Sequence, residues 1–169
     1  VIEDNKMIVT KTPLFVSADE DNDKGFVRTI IEKVGKINNG YDVAVLSAKT
    51  ERVLTTVEIG DERLSKDGDA ILNVAVPGGL GKTCFRGYIS HLIVDRPLRQ
   101  PGGLIDWSGT MLLQLPLSPG SSGSAIFSPA QNKIIGVLVG SVDGHAIAIP
   151  ISRLSNTDKD NWMDIKAVK

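Results

Sequence analysis

The chain has 169 residues, 41% of them hydrophobic and 23% charged, with a net charge of −1. That balance fits one globular domain or two small packed halves and gives no electrostatic basis for binding nucleic acid. No apolar run is long enough to span a bilayer, no signal peptide opens the sequence, and a lone cysteine, Cys84, excludes a disulfide framework while leaving the compartment open.

Taken in order, residues Met7 to Val16 are rich in Ile, Val, Thr and Phe around Pro13, and predict one or two strands or an edge. The acidic run from Asp19 to Gly25 predicts a solvated hairpin loop; it lacks the mid-loop glycine and later glutamate that an EF-hand calcium loop requires. Phe26 to Val34 is a second β-rich run. Asn38-Asn39-Gly40 then makes a turn into a short strand from Tyr41 to Ser47. Asp42 stands at the edge of that strand, where a buried carboxylate needs a partner and an exposed one caps a turn; the pattern alone leaves both readings open.

Residues Thr50 to Asp67 are charged and predict a connection between two halves, the second beginning near Gly68. Ala70 to Val76 predicts a strand, and Pro77 to Thr83 a glycine-rich turn. Gly81-Lys82-Thr83 is reminiscent of a phosphate loop, but Val76 stands where that pattern requires its first glycine and no helical pattern follows, so nucleotide binding is rejected. Phe85 to Val94 predicts a strand, Arg96 to Asp106 a surface loop, and Trp107 to Leu117 a further strand. Lys133 to Val142 and His145 to Ile151 predict a hairpin turning at Asp143-Gly144. In the tail from Ser155, Trp162 and Ile165 at helical spacing, with Asp158 as a cap, predict a short helix.

Between those strands lies Ser118-Pro119-Gly120-Ser121-Ser122-Gly123-Ser124-Ala125. A Gly/Ser-rich octapeptide is ordinarily a turn or linker, but one fixed at both ends by apolar strands is not a free linker. A serine hydroxyl becomes a useful nucleophile when a base takes its proton and fixed dipoles stabilise the oxyanion that forms. Glycine at position 120 lets its N–H turn toward the same point as the Ser122 N–H, which makes Ser122 the candidate nucleophile.

Several motifs in a shared order carry a family resemblance: Pro119-Gly120-Ser121-Ser122-Gly123-Ser124-Ala125, Ile134-Ile135-Gly136-Val137, Ala146-Ile147-Ala148-Ile149-Pro150 and, upstream, Val34-Gly35-Lys36 with Tyr41-Asp42-Val43-Ala44-Val45-Leu46. Ile59-Gly60-Asp61, Gly68-Asp69-Ala70, Pro77 to Gly81 and Gly87-Tyr88-Ile89-Ser90 fall between them in the same order. Together they resemble the trypsin-like serine peptidases, nearest the HtrA/Deg-type branch. The resemblance implies an all-β fold of two six-stranded antiparallel barrels, the first incomplete, followed by the short C-terminal helix. It places a partial first barrel at 1–60, the second barrel at 61–154 and a tail at 155–169. Asp42 becomes the carboxylate that orients a histidine, Ser122 the nucleophile, and Gly120 and Ser122 the oxyanion donors. The pocket for the substrate residue before the scissile bond falls to Leu138, Val139, Gly140 and Ser141 on one wall and Ala146 on the other. With no charge at those positions, a small or medium apolar residue is expected there. No metal or organic cofactor is implied. The partner is a protein or peptide substrate, with no nucleic acid and no membrane insertion, and oligomer formation is left open, as is a secreted, periplasmic or viral setting.

One member of the triad is missing. Only His91 and His145 occur, both after Asp42, whereas the family places its histidine before the aspartate. His91 falls in a predicted strand and reads as structural, and His145 as a hairpin residue. Val1-Ile2-Glu3-Asp4-Asn5 is similar to the segment that follows the family's histidine, and a first residue of Val rather than Met suggests a processed product or fragment. The expectation is therefore a serine endopeptidase that starts just past its own base and is inactive in this form. The alternative is a pseudo-peptidase acting as a peptide-binding or viral assembly module, which Ser124 and Ala125 mildly favour, since many relatives carry glycine and proline there.

Overall fold

The computed structural model describes residues 2–3, 6–7, 31–37, 42–43, 45–48, 56–79, 81–95, 98–100, 103–154 and 157–164. The strand expected over 7–16, Met7 apart, and the acidic turn at 19–25 lie outside them. The chain divides into two compact units. The first takes in Val1–Asn38, Ala44–Thr56 and Thr157–Lys169, and the second Asn39–Val43 and Val57–Asn156.

In the first unit, β1 (Ile2–Glu3) and β2 (Lys6–Met7) form a two-stranded antiparallel ribbon. β3 (Ile31–Ile37) and β4 (Val45–Ala48) pair antiparallel, and the strand near the C-terminus, Thr157–Asp164, pairs with the free side of β3. The helix expected in the tail is therefore corrected to a strand. Its register aligns Trp162 with Gly35, Met163 with Val34 and Asp164 with Lys33. The sequence there, Thr157-Asp158-Lys159-Asp160-Asn161-Trp162, is poor in strong helix formers, and an unfilled sheet edge supplies a ladder of hydrogen bonds that outweighs a two-residue helical spacing.

The second unit is built on a closed antiparallel barrel. Its strands are β5 (Ala70–Ala75), β6 (Thr83–His91), β9 (Met111–Gln114), β10 (Ala125–Ser128), β11 (Lys133–Val142) and β12 (His145–Pro150). The spatial order is β10-β11-β12-β9-β6-β5, and β5 pairs back onto β10. Between β6 and β9 a small hairpin, β7 (Leu98–Gln100) with β8 (Gly103–Ile105), occupies the segment expected to be loop. The tail strand is β13.

Alternation fills the barrel. On β5, Ile71, Asn73 and Ala75 face inward while Ala70 and Val74 are exposed; on β9, Met111 and Leu113 face inward. Ile71, Met111 and Leu113, with Ile89, Leu115, Ile126, Ile135, Leu138, Ala146 and Ala148, form one apolar core. Asn73 is the polar exception among the inward positions of β5. The β11–β12 hairpin turns at Asp143 and Gly144, both with positive φ, as the Asp-Gly pair predicts. The barrel expected second in the chain is thus closed. The described residues of the first unit form a three-stranded sheet and a short ribbon.

Candidate functional site

The octapeptide from Ser118 to Ala125 connects β9 to β10 and bends twice, at Gly120 (φ +96°) and Gly123 (φ +85°). Glycine is required at 120 on two grounds. The left-handed backbone disfavours any side chain, and a Cβ there would stand 2.7 Å from the Val76 carbonyl oxygen. The loop is also tied to the turn Pro77–Gly79 by a bond from the Gly78 N–H to the Pro119 carbonyl, 2.7 Å.

Between the two bends the adjacent serines separate. Ser121 is 2% exposed, its hydroxyl buried without a hydrogen-bond partner among the described residues, whereas Ser122 is exposed. Only Ser122 can reach a substrate. Its Oγ donates to the Val139 carbonyl at 3.3 Å, a long bond that is given up easily. That carbonyl is free to accept because β11 carries a bulge. Leu138 lies opposite Ala148 and Gly140 opposite Ile147, so Val139 is the extra residue, outside the ladder. Among the described residues neither the Gly120 N–H nor the Ser122 N–H has an acceptor, so both remain available to an incoming oxygen. The loop is held from the other side by Gly123 N–H to Leu138 O, 2.7 Å, and Leu138 N–H to Ser124 O, 2.9 Å.

The other expected site residues distribute less evenly. Asp42 is exposed, makes no hydrogen bond or ion pair among the described residues, and belongs to the same compact unit as Ser122. Leu138 and Ala146 are 1% and 0% exposed and sit in the barrel core, so what they offer a ligand is backbone rather than side chain. Gly140 lies against the ring of Trp107, whose Cη2 would be 3.9 Å from a Cβ at that position. A cavity of about 560 Å³ is lined by Arg86, Tyr88, Gln114, Pro116, Leu117 and Ser141 among others; no residue of the loop lines it, and of the five expected pocket residues only Ser141 touches it. His91 faces Asp67 on the surface, Nδ1 to Oδ2 3.3 Å, and His145 Nδ1 approaches the Asp143 carbonyl at 3.2 Å.

A family model described as a trypsin-like peptidase domain matches residues 1–137. The chain belongs to that family. Two solved structures are similar to it. An HtrA-type protease, AlgW with a decapeptide, is 26% identical with a TM-score of 0.60 over 79% of this chain and 42% of its own. Rv3671c from M. tuberculosis H37Rv, a serine-to-alanine mutant in an inactive form, is 14% identical with a TM-score of 0.56 over 77% of this chain and 62% of its own, a likeness of fold. This trypsin-like domain thus spans less than two thirds of either chain. No curated protein matches it.

One support of this loop is not apparent from the sequence. The loop rests on Asn73, whose Nδ2 donates to Ser124 Oγ at 2.7 Å and to the Ala125 carbonyl at 2.9 Å. The available signal was a polar residue at an inward position of an otherwise apolar alternation, Ile71-Leu72-Asn73-Val74-Ala75.

Proposed function

We propose that this domain is a serine endopeptidase of the HtrA-type branch, hydrolysing peptide bonds through an acyl-enzyme on Ser122. The observation that carries the reading is the state of the bend itself. One serine is exposed and its neighbour buried, and the N–H groups of Gly120 and Ser122 are left without acceptors. In this reading Ser122 Oγ attacks the peptide carbonyl and its proton passes to a histidine. The two amides hold the oxyanion, and the histidine returns the proton to the leaving amine; water then releases the acyl group. Asp42 orients that histidine. In this reading that histidine is neither His91 nor His145, both of which lie after Asp42 in the sequence. The β3–β4–β13 sheet is read as part of the first barrel. The substrate is a protein or peptide segment, as the decapeptide with the HtrA-type neighbour suggests, bound against the bulged stretch of β11 with Val139, Gly140 and Ser141 as backbone contacts.

The test is labelling by a serine-directed phosphonate, read by mass spectrometry, on the chain with and without the residues its coding sequence places before Val1. Modification of Ser122 in the extended form, lost in Ser122→Ala, supports the peptidase. No labelling of either form removes it in favour of the non-enzymatic peptide-binding or assembly module.

A further inference from the structure

We propose that Asn73 is a positioning residue for the nucleophile loop, acting through the Ser124 hydroxyl; this rests on Ser122 being the nucleophile. Asn73 is 1% exposed and occupies an inward position of β5 between Ile71 and Ala75, where an apolar side chain would fill the barrel without desolvating an amide. Its burial is not fully compensated, because Oδ1 has no hydrogen-bond partner among the described residues. The fold alone therefore gives no reason for an amide here, since buried polar groups are ordinarily satisfied on both sides.

Its other half is fully engaged, and both bonds run to the end of the loop, to Ser124 Oγ and the Ala125 carbonyl. Accepting from Asn73 aims the Ser124 hydroxyl proton at the Ser121 carbonyl, which it meets at 2.6 Å, while the Ser124 N–H reaches the same carbonyl at 3.2 Å. The Ser121 carbonyl and the Ser122 N–H belong to one peptide plane, so pinning the oxygen fixes the direction of the amide that this reading assigns to the oxyanion. A chain of three groups, the Asn73 amide, the Ser124 hydroxyl and the Ser121 carbonyl, thus sets the orientation of the Ser122 N–H, which neither the Asn73 nor the Ser124 side chain contacts.

The experiment compares wild type, Asn73→Leu, Ser124→Ala, the double variant and Ser124→Thr, in the extended form of the protein. It measures the phosphonate labelling rate at Ser122, the unfolding midpoint and amide exchange at Gly123 and Leu138. Asn73→Leu and Ser124→Ala are each expected to slow labelling at least about tenfold, with the double variant no slower than the worse single one, as residues acting through one chain require. Ser124→Thr, which keeps the hydroxyl, restores the rate. Exchange at Gly123 and Leu138 quickens by a similar factor while that of Val94, bonded to the Thr110 carbonyl in another part of the barrel unit, is unchanged. Labelling and exchange at wild-type values in both single variants would overturn the proposal, and so would fully additive losses. If Asn73→Leu does not fold, Ser124→Ala decides. If wild type itself is not labelled, the nucleophile reading fails, and exchange at Gly123 and Leu138 alone judges whether Asn73 holds the loop.

Discussion

At the scale of single residues, the loop separates groups that chemistry uses from groups that geometry uses. In the proposed reading Ser122 and Asp42 belong to the first kind. Replacing Asp42 by Asn keeps shape and removes charge, so in the extended protein it should lower the labelling rate by about 10⁴-fold, the loss expected when the base is held in the wrong tautomer, with an unchanged unfolding midpoint. A loss of less than about tenfold would leave Asp42 a surface residue, which its exposure and lack of partners also allow. Gly120 belongs to the second kind. Gly120→Ala meets both a φ of +96° and a carbonyl oxygen 2.7 Å away, so the bend has to shift, moving the Gly120 N–H out of place. About 1–3 kcal/mol of stability should be lost in urea unfolding, together with most of the labelling. Gly123→Ala shares the positive φ but has open space around it, and should cost less.

At the scale of elements, barrel closure depends on how near β6 approaches β9. A Cβ on Gly87 would lie 2.1 Å from the Gln114 carbonyl and 2.8 Å from the Leu115 Cβ, atoms of backbone and core that cannot swing away. Gly87→Ala should therefore destabilise the barrel by about 3 kcal/mol, at the upper end of overpacking costs. Gly140→Ala, in the same sheet but with only a 3.9 Å contact to Trp107, should fall within about 0.5 kcal/mol of wild type; equal costs in denaturant unfolding would refute the distinction. The same elements show what the sequence makes legible. Strands β5, β11 and β12 are readable because their runs rich in Ile, Val and Ala are bounded by Gly, Pro or Asp-Gly. β10, only Ala125 to Ser128, is hidden behind the loop that drew attention to itself, and β7 and β8 are too short to show a period. β13 was misread because two apolar residues three apart fit a helix, while the edge of β3 that captures it lies about 120 residues upstream and leaves no local mark. The bends of the loop were legible from Gly120 and Gly123. Its support by Asn73 was not, since the pair is 51 residues apart in sequence and meets only when β10 closes on β5.

At the scale of the whole molecule, the segment after Thr56, expected as a simple connection, is stitched onto the barrel. The Gly60 N–H bonds the Ile134 carbonyl, the Ile134 N–H bonds Glu58, and the Gln131 side chain spans Asp61 and Ser65. The buried Glu62 carboxylate is held by the backbone and hydroxyl of Ser152 beyond β12. Two exposed ion pairs lie along this seam, Lys133 with Glu58 at 2.9 Å and Arg63 with Asp61 at 2.8 Å. The hydrogen bond from Lys133 and its charge hold Glu58 below its usual value of 4.5, and the hydrogen bonds from Arg63 hold Asp61 below 3.8. A carboxylate whose folded value is lowered binds protons more readily when unfolded. Its contribution is therefore complete above the unfolded value and disappears as the pH falls through the folded one. These groups should leave stability level from pH 8 down to about 5 and withdraw their share below about 4.5. Because both pairs are exposed, that share is small and weakened by salt. Other carboxylates also titrate in acid, so the difference between variants isolates the seam. Lys133→Ala combined with Arg63→Ala should lose less stability between pH 7 and pH 3 than wild type, and 1 M salt should bring the two closer. Equal losses in urea unfolding at the two pH values would show that the seam is held by its backbone bonds and by those of Gln131 and Glu62, with the ion pairs contributing nothing to the attachment of this segment.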